Sequence, residues 1–206
     1  MKVFIAIPSM DTLSARFAQC LVNLVNYKRD FEVEVGFHIG SLVYDSRNKL
    51  AERAINSDCD YILWLDSDMT FMPDTLDIMV KELEDNNYEM LAGMYYRRRP
   101  PFTPTLFKTL NISEMGVTSE EFDEIPEEIF EVAGCGFGCV LMKRNVLWNV
   151  LCQHGYMFSP INTVGEDLSF CWRARMCGHK IYCDPTIALG HEVKTIITKS
   201  NRGIFK

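Results

Sequence analysis

Short apolar runs alternate with helical periodicities along the first half of the chain. Lys2-Val3-Phe4-Ile5-Ala6-Ile7 is an apolar run ended by Pro8, the pattern of a buried strand. From 11 to 27, Leu13, Phe17, Leu21, Leu24 and Val25 recur at helical spacing, with Asp11 as the candidate N-cap. Glu32 to Ile39 alternates and then runs apolar, as a second strand does. Asp45-Ser46 opens a second helix with Leu50, Ala51, Ala54 and Ile55 on one face. Tyr61 to Leu65 is apolar on both faces, which suits a central parallel strand. Pro73-Asp74 starts a third helix, with Leu76, Met79, Val80 and Leu83 inward, and Tyr88 to Met94 is another strand. This β-α-β-α-β-α-β order predicts an α/β fold with an open, mostly parallel sheet flanked by helices.

The second half is less regular. Phe102–Phe107, Phe130–Ala133, Cys139–Lys143 and His179–Cys183 are short strands, forming a smaller mixed sheet. Residues 145–152 and Glu166–Cys177 are helices, and Gly178 fits the C′ position of the latter. The segment 109–142 has no Lys or Arg, and its part from 112 to 128 is strongly acidic, so a solvated excursion is expected. The tail, 192–206, is basic.

Length and charge narrow the function classes. The 206 residues suffice for one domain with a substantial core. A net charge of -7 argues against general nucleic-acid binding, which needs a basic face. No signal peptide or membrane-length apolar run is evident, so a cytoplasmic protein without a transmembrane segment is expected. The eight cysteines include no CxxC pair, and several lie in apolar segments, so reduced, buried thiols are expected. Cys171, Cys177, Cys183 and His179 fit no standard zinc spacing.

The candidate chemistry begins where the apolar run Tyr61–Leu65 stops at Asp66-Ser67-Asp68. On a parallel α/β sheet this is the ligand-binding edge. At period two, Asp66 and Asp68 share a side, and paired carboxylates call for a cation or a proton. Such oxygen ligands suit Mg²⁺ or Mn²⁺, while the alternative is a solvated turn. Arg47 is either a fork for phosphate or a surface residue on an amphipathic helix. Glu166 and Asp167 open a helix, either as caps or with one as a general base. His191 is either structural or a metal ligand. The triplet Arg97-Arg98-Arg99 is either solvated or a binding element for an anion.

Taken in order, Ile7-Pro8-Ser9, SRNKLAERAI, DYILWLDSDMTF, AGCGFGCVLMKR and GEDLSFCWRARMCGHKIYCDPTIALGHE resemble the GT-A fold glycosyltransferases, particularly inverting family 2. The resemblance spans most of residues 2–192. It implies sugar transfer from a UDP- or GDP-sugar donor, with Mn²⁺ or Mg²⁺, to an acceptor the sequence does not identify. By motif, Asp68 is the main metal ligand, Asp66 holds the ribose or the metal's water, and His191 completes the metal site. Ile7, Pro8 and Ser9 line the base, Arg47 contacts base or diphosphate, and Ser67 lies close to the nucleotide. Gly136, Phe137 and Glu166 border the sugar and acceptor. Asp167 is the catalytic base, with Glu166 as the other assignment. The resemblance divides the domain into a nucleotide-sugar half, 1–98, an acceptor and catalytic half, 99–191, and a tail able to serve as a lid. No Q-x-x-R-W motif of processive synthases is present. Two other functions fit a related fold: nucleotidyl transfer, and non-catalytic binding of a nucleotide sugar or carbohydrate. Nucleotidyltransferases usually carry a basic loop after the first strand, and Pro8-Ser9-Met10-Asp11 has no basic residue.

Overall fold

The computed structural model describes residues 1–113 and 116–194. Strand β1 (Lys2–Ser9) is followed by α1 (Ala15–Asn26), β2 (Glu32–Ile39), α2 (Val43–Ile55) and β3 (Tyr61–Leu65). Next come β4 (Met69–Phe71), α3 (Thr75–Asp85), β5 (Met90–Gly93), β6 (Leu106–Phe107), β7 (Thr109–Ser113) and β8 (Gly116–Glu120). The order ends with β9 (Phe130–Val132), β10 (Gly134–Cys135), β11 (Cys139–Lys143), α4 (Arg144–His154), α5 (Glu166–Met176), β12 (Ile181–Asp184) and β13 (Leu189–His191).

Seven strands form one sheet in the order β2-β1-β3-β11-β5-β12-β9. β1, β2, β3, β5 and β12 run parallel, and β11 and β9 run against them. The sheet is thus mostly parallel, as the helix–strand alternation predicts. β11 enters between β3 and β5, which brings a second-half strand into the centre of the first-half sheet.

Period-two alternation divides the core. Phe4, Ala6, Ile62 and Trp64 face Leu50, Ala51 and Ala54 of α2, and the same cluster takes in α4 and α5 through Val146, Val150, Phe170 and Ala174. Val3, Ile5, Leu63 and Leu65 face the opposite side, where α1 and α3 contribute Phe17, Leu24, Leu76, Met79 and Leu83. Both faces of β1 and β3 are therefore sealed, which is why their sequences are continuously apolar. β1 has β2 on one side and β3 on the other. The strand order reverses there, which opens a crevice at the carboxyl ends.

Three local expectations change. Of the strand expected over Phe102–Phe107, only Leu106–Phe107 forms. Helix α1 starts later than the periodicity suggests, because Ser14 rather than Asp11 caps it. The Ser14 hydroxyl accepts from Phe17 N at 2.9 Å. The acidic excursion contains a hairpin, β7 paired with β8. Its inward residues Leu110 and Ile112 are buried, and Arg175 Nη1 on α5 donates to the Leu110 carbonyl at 2.9 Å. The alternation Thr109-Leu110-Asn111-Ile112-Ser113 carried that signal, obscured by the acidic residues beyond it.

All eight cysteines are free, and Cys59, Cys135, Cys139, Cys171 and Cys183 are buried. His179 serves no zinc site: its Nδ1 lies 2.7 Å from Glu89 Oε2 and its Nε2 3.2 Å from Asn149 Nδ2. Among the described residues no helix is long and apolar enough to cross a membrane. The proposed lid falls largely on 195–206, outside the described residues.

Candidate active site

The buried run of β3 ends at Leu65, and the chain turns at once. Asp66 N donates to the Gly138 carbonyl at 3.1 Å, and Met69 N donates to the Asp66 carbonyl at 3.1 Å. This tight turn presents Asp66, Ser67 and Asp68 to the crevice and leads into β4. β4 pairs antiparallel with β13, which sets His191 opposite Met69, and Glu192 N donates to the Asp68 carbonyl at 2.8 Å. A two-stranded ladder therefore delivers the late histidine to the acidic turn.

At Asp68 the carboxylate Oδ2 accepts from Arg98 Nη1 at 2.7 Å and lies 3.5 Å from His191 Nε2. His191 Nδ1 lies 2.8 Å from the Tyr96 carbonyl, which can only accept, so Nδ1 carries the proton. In a neutral ring the Nε2 lone pair then faces a carboxylate oxygen, an arrangement that a proton or a cation between them reconciles. Burial pushes the Asp68 carboxyl up, but the hydrogen bond and charge of His191 with Nε2 protonated, and the charge of Arg98, outweigh it and leave it below its ordinary value. Among the described residues no group of three His, Cys, Asp or Glu side chains converges on one point. Asp68 and His191, 3.5 Å apart, are the two side chains that could hold an ion here. That suits a hard divalent ion completing its shell with water and substrate phosphate.

Asp66 is engaged elsewhere: its Oδ1 accepts from Arg47 Nη2 at 2.7 Å. Arg47 Nε donates to Glu166 Oε1 at 3.2 Å. The guanidinium is only 2% exposed and lies 5.7, 5.4 and 6.0 Å from the rings of Trp64, Phe137 and Phe158. Its Nη1 has no hydrogen-bond partner among the described residues. Arg47 shares the α2 stripe of Leu50, Ala51 and Ala54, so it is a core residue rather than a surface one. Burial pushes the Asp66 carboxyl up, Arg47 opposes this, and the charges of Asp68 and Glu166 add to the rise. The Asp66 side chain keeps 30% of its surface open, so burial weighs on it less than complete enclosure would.

Asp167 stands in the first turn of α5, behind the Gly165 N-cap. Burial raises its carboxyl to about 6, and the neighbouring Glu166 charge adds to this. The Leu168 N–H, 2.7 Å from Asp167 Oδ1, and the charge of Arg47 pull the other way. A carboxyl near 6 is ionised at neutral pH yet holds a proton better than an ordinary aspartate, which suits a general base.

Apart from His191, which meets Asp68 without lining the cavity, these groups line one cleft of about 380 Å³. Pro8 and Ser9 form one wall, Gly40, Ser41, Ser46 and Arg47 another, and Asp66, Ser67, Asp68, Arg98, Glu166 and Asp167 the rest. Three sequence candidates lie elsewhere. Ile7 is fully buried in β1. Phe137 is 1% exposed and packs on Trp64, Phe158 and Phe170. Gly136 lies against Tyr95, whose hydroxyl a Cβ there would strike. Sequence reasoning did not single out Gly40 and Ser41, although they stand at the carboxyl end of β2, where the same edge rule applies. It also passed over Tyr95. Its hydroxyl accepts from Gly138 N at 3.0 Å, and its ring meets His191 edge-on with centroids 5.2 Å apart.

A mostly parallel sheet with an acidic turn at its ligand edge defines the class, and the fold is the GT-A arrangement. The chain belongs to glycosyl transferase family 2, whose sequence pattern matches residues 42–151, and it is a glycosyltransferase in that general sense. Among solved structures, A197 from STIV superimposes with a TM-score of 0.62 at 22% identity, covering 94% of this chain and 86% of that one. No curated protein sequence matches the chain.

Proposed function

We propose that the protein transfers a sugar from a nucleoside diphosphate donor, a UDP- or GDP-sugar, to an acceptor hydroxyl with inversion, using Asp167 as base. The observation that carries this reading is the convergence of Asp66, Asp68, Glu166 and Asp167 in one cleft, with Asp167 raised to about 6. Asp167 takes the proton of the acceptor hydroxyl as that oxygen bonds the anomeric carbon. The bond from that carbon to the diphosphate oxygen breaks, and its electrons leave with the nucleoside diphosphate. Attack opposite the leaving group inverts the anomeric centre. Asp68 and His191 would hold Mn²⁺ or Mg²⁺, which when bound stabilises the charge that develops on the leaving diphosphate. Arg47 fixes the Asp66 and Glu166 carboxylates, so that the cleft is shaped before substrate arrives. Pro8, Ser9, Gly40 and Ser41 offer backbone and small side chains at the edge suited to a nucleoside. Membership of a glycosyltransferase family weighs against nucleotidyl transfer, and the complete carboxylate set weighs against a purely binding module.

A panel of nucleotide sugars with Mn²⁺ tests the proposal without knowledge of the acceptor. The expected result is a rise in melting temperature and slow donor hydrolysis with a UDP- or GDP-sugar. Absence of both with every donor overturns it.

A further inference from the structure

We propose that Arg98 neutralises Asp68 in the ion-free enzyme and moves to the donor's diphosphate when a divalent ion takes its place. This rests on the donor and ion reading above and goes beyond it by assigning a residue and an exchange.

The two arginines of the cleft differ in kind. Arg47 is buried and held by two carboxylates, so it cannot leave without stranding them. Arg98 is 54% exposed and, among the described residues, makes one side-chain bond, from Nη1 to Asp68 Oδ2 at 2.7 Å. That oxygen is also the one facing His191 Nε2 at 3.5 Å. An ion between Asp68 and His191 therefore competes for the oxygen that Arg98 holds. Two cations on one carboxylate oxygen repel, so Arg98 and the ion weaken each other's hold until an anion joins them.

The loop that carries Arg98 is tethered at its base, and the Arg98 side chain is held at its tip by Asp68. Its neighbour Arg97 is anchored by Glu121 Oε1 at 2.7 Å and lies over the Phe107 ring at 5.6 Å. Arg97 N also donates to the Thr103 carbonyl at 3.0 Å, and Tyr96 bridges to Pro104. Glu121 follows β8 directly, so the acidic excursion holds the base of this loop. The tip turns through a Phe102 N to Arg99 carbonyl bond of 2.9 Å, with Phe102 at φ +57°. Rotation of the Arg98 side chain alone releases the contact and keeps the guanidinium at the cleft, where its planar fork of donors matches phosphate oxygens. Arg98 is then a donor-binding residue whose availability depends on the ion.

Calorimetry of the full chain separates the two states. Mn²⁺ alone is titrated into wild type, Arg98→Ala, Arg98→Lys and Asp68→Asn, and UDP and GDP are then titrated at saturating Mn²⁺. Arg98→Ala should bind Mn²⁺ alone several-fold more tightly, because its competitor is gone. It should bind the nucleoside diphosphate about tenfold more weakly, within the usual range of coupling between sites. Arg98→Lys should fall between, and Asp68→Asn should lose Mn²⁺. Wild-type values for Arg98→Ala in either titration overturn the Arg98 exchange and leave the donor reading standing. If wild type binds neither Mn²⁺ nor either nucleotide, the donor and ion reading itself fails, and this inference with it.

Discussion

Arg47 and Glu166 lie 119 positions apart in the chain and meet through a 3.2 Å bond from Nε to Oε1. With the 2.7 Å bond from Arg47 Nη2 to Asp66 Oδ1, this makes one guanidinium the junction of the acidic turn and the α5 N-terminus. The first-half and second-half acids are thereby held in one frame.

Arg47→Met should remove that junction and leave two cleft carboxylates without their counter-charge. Breaking a buried pair by removing one partner costs about 3–5 kcal/mol, and the partial exposure of Asp66 puts the expected loss toward the lower end. Chemical denaturation measures it. Arg47→Lys keeps the charge but loses the fork, so it should recover only part of the stability and little of the activity. A Met variant as stable as wild type contradicts the junction role.

Asp167→Asn should lower turnover by about 10²–10⁴-fold, the usual contribution of a general base, and leave donor binding nearly unchanged. Glu166→Gln should act more mildly, through the Arg47 frame. Single-turnover assays with the identified donor measure both. An active Asp167→Asn beside a dead Glu166→Gln reverses the two roles.

Activity should follow the ionisation of Asp167. With its carboxyl raised to about 6, kcat/KM should fall about tenfold per unit as pH drops below 6, because the base becomes protonated. The same raised value makes a distinct stability prediction. Its folded-state pKa lies above the unfolded value of 3.8, so ionised Asp167 is penalised in the fold above pH 6. This penalty fades as pH falls from about 6 toward 4. Asp167→Asn should therefore be more stable than wild type at pH 7, by on the order of 1–3 kcal/mol, and the gain should vanish near pH 4. Melting curves across that window decide the matter, and a constant gain at all pH values contradicts the assignment.

Gly138→Ala should loosen both ends of the proposed ion site. A Cβ there meets the Tyr95 ring at 2.7 Å and Met69 Sδ at 3.0 Å. Tyr95 must shift, and it backs the His191 ring while its hydroxyl holds the Gly138 N–H. The expected cost is about 1–3 kcal/mol in stability, with weaker Mn²⁺ binding by calorimetry. Tyr95→Phe leaves the Gly138 N–H buried without its partner, which should cost about 1–3 kcal/mol. Unchanged Mn²⁺ affinity in both variants removes Tyr95 from the support of the site.

The sequence by itself determined most elements of the first half and the edge where chemistry gathers. The continuous apolar runs of β1 and β3 announced strands sealed on both faces, and their ends marked the ligand edge because side chains there have no core to enter. Asp66, Asp68, Glu166, Asp167 and His191 were legible as an ordered set, since each follows a recognisable strand or opens a helix. The partners of those residues were decided by tertiary structure alone. That Arg47 is buried, that Arg98 reaches Asp68, and that Tyr95 backs His191 depend on β11 entering the sheet between β3 and β5 and on β13 pairing with β4. Strand pairing across long separations follows from the packing of whole faces rather than from local pattern. An arginine on an apolar stripe is therefore ambiguous until the opposing carboxylates are in position.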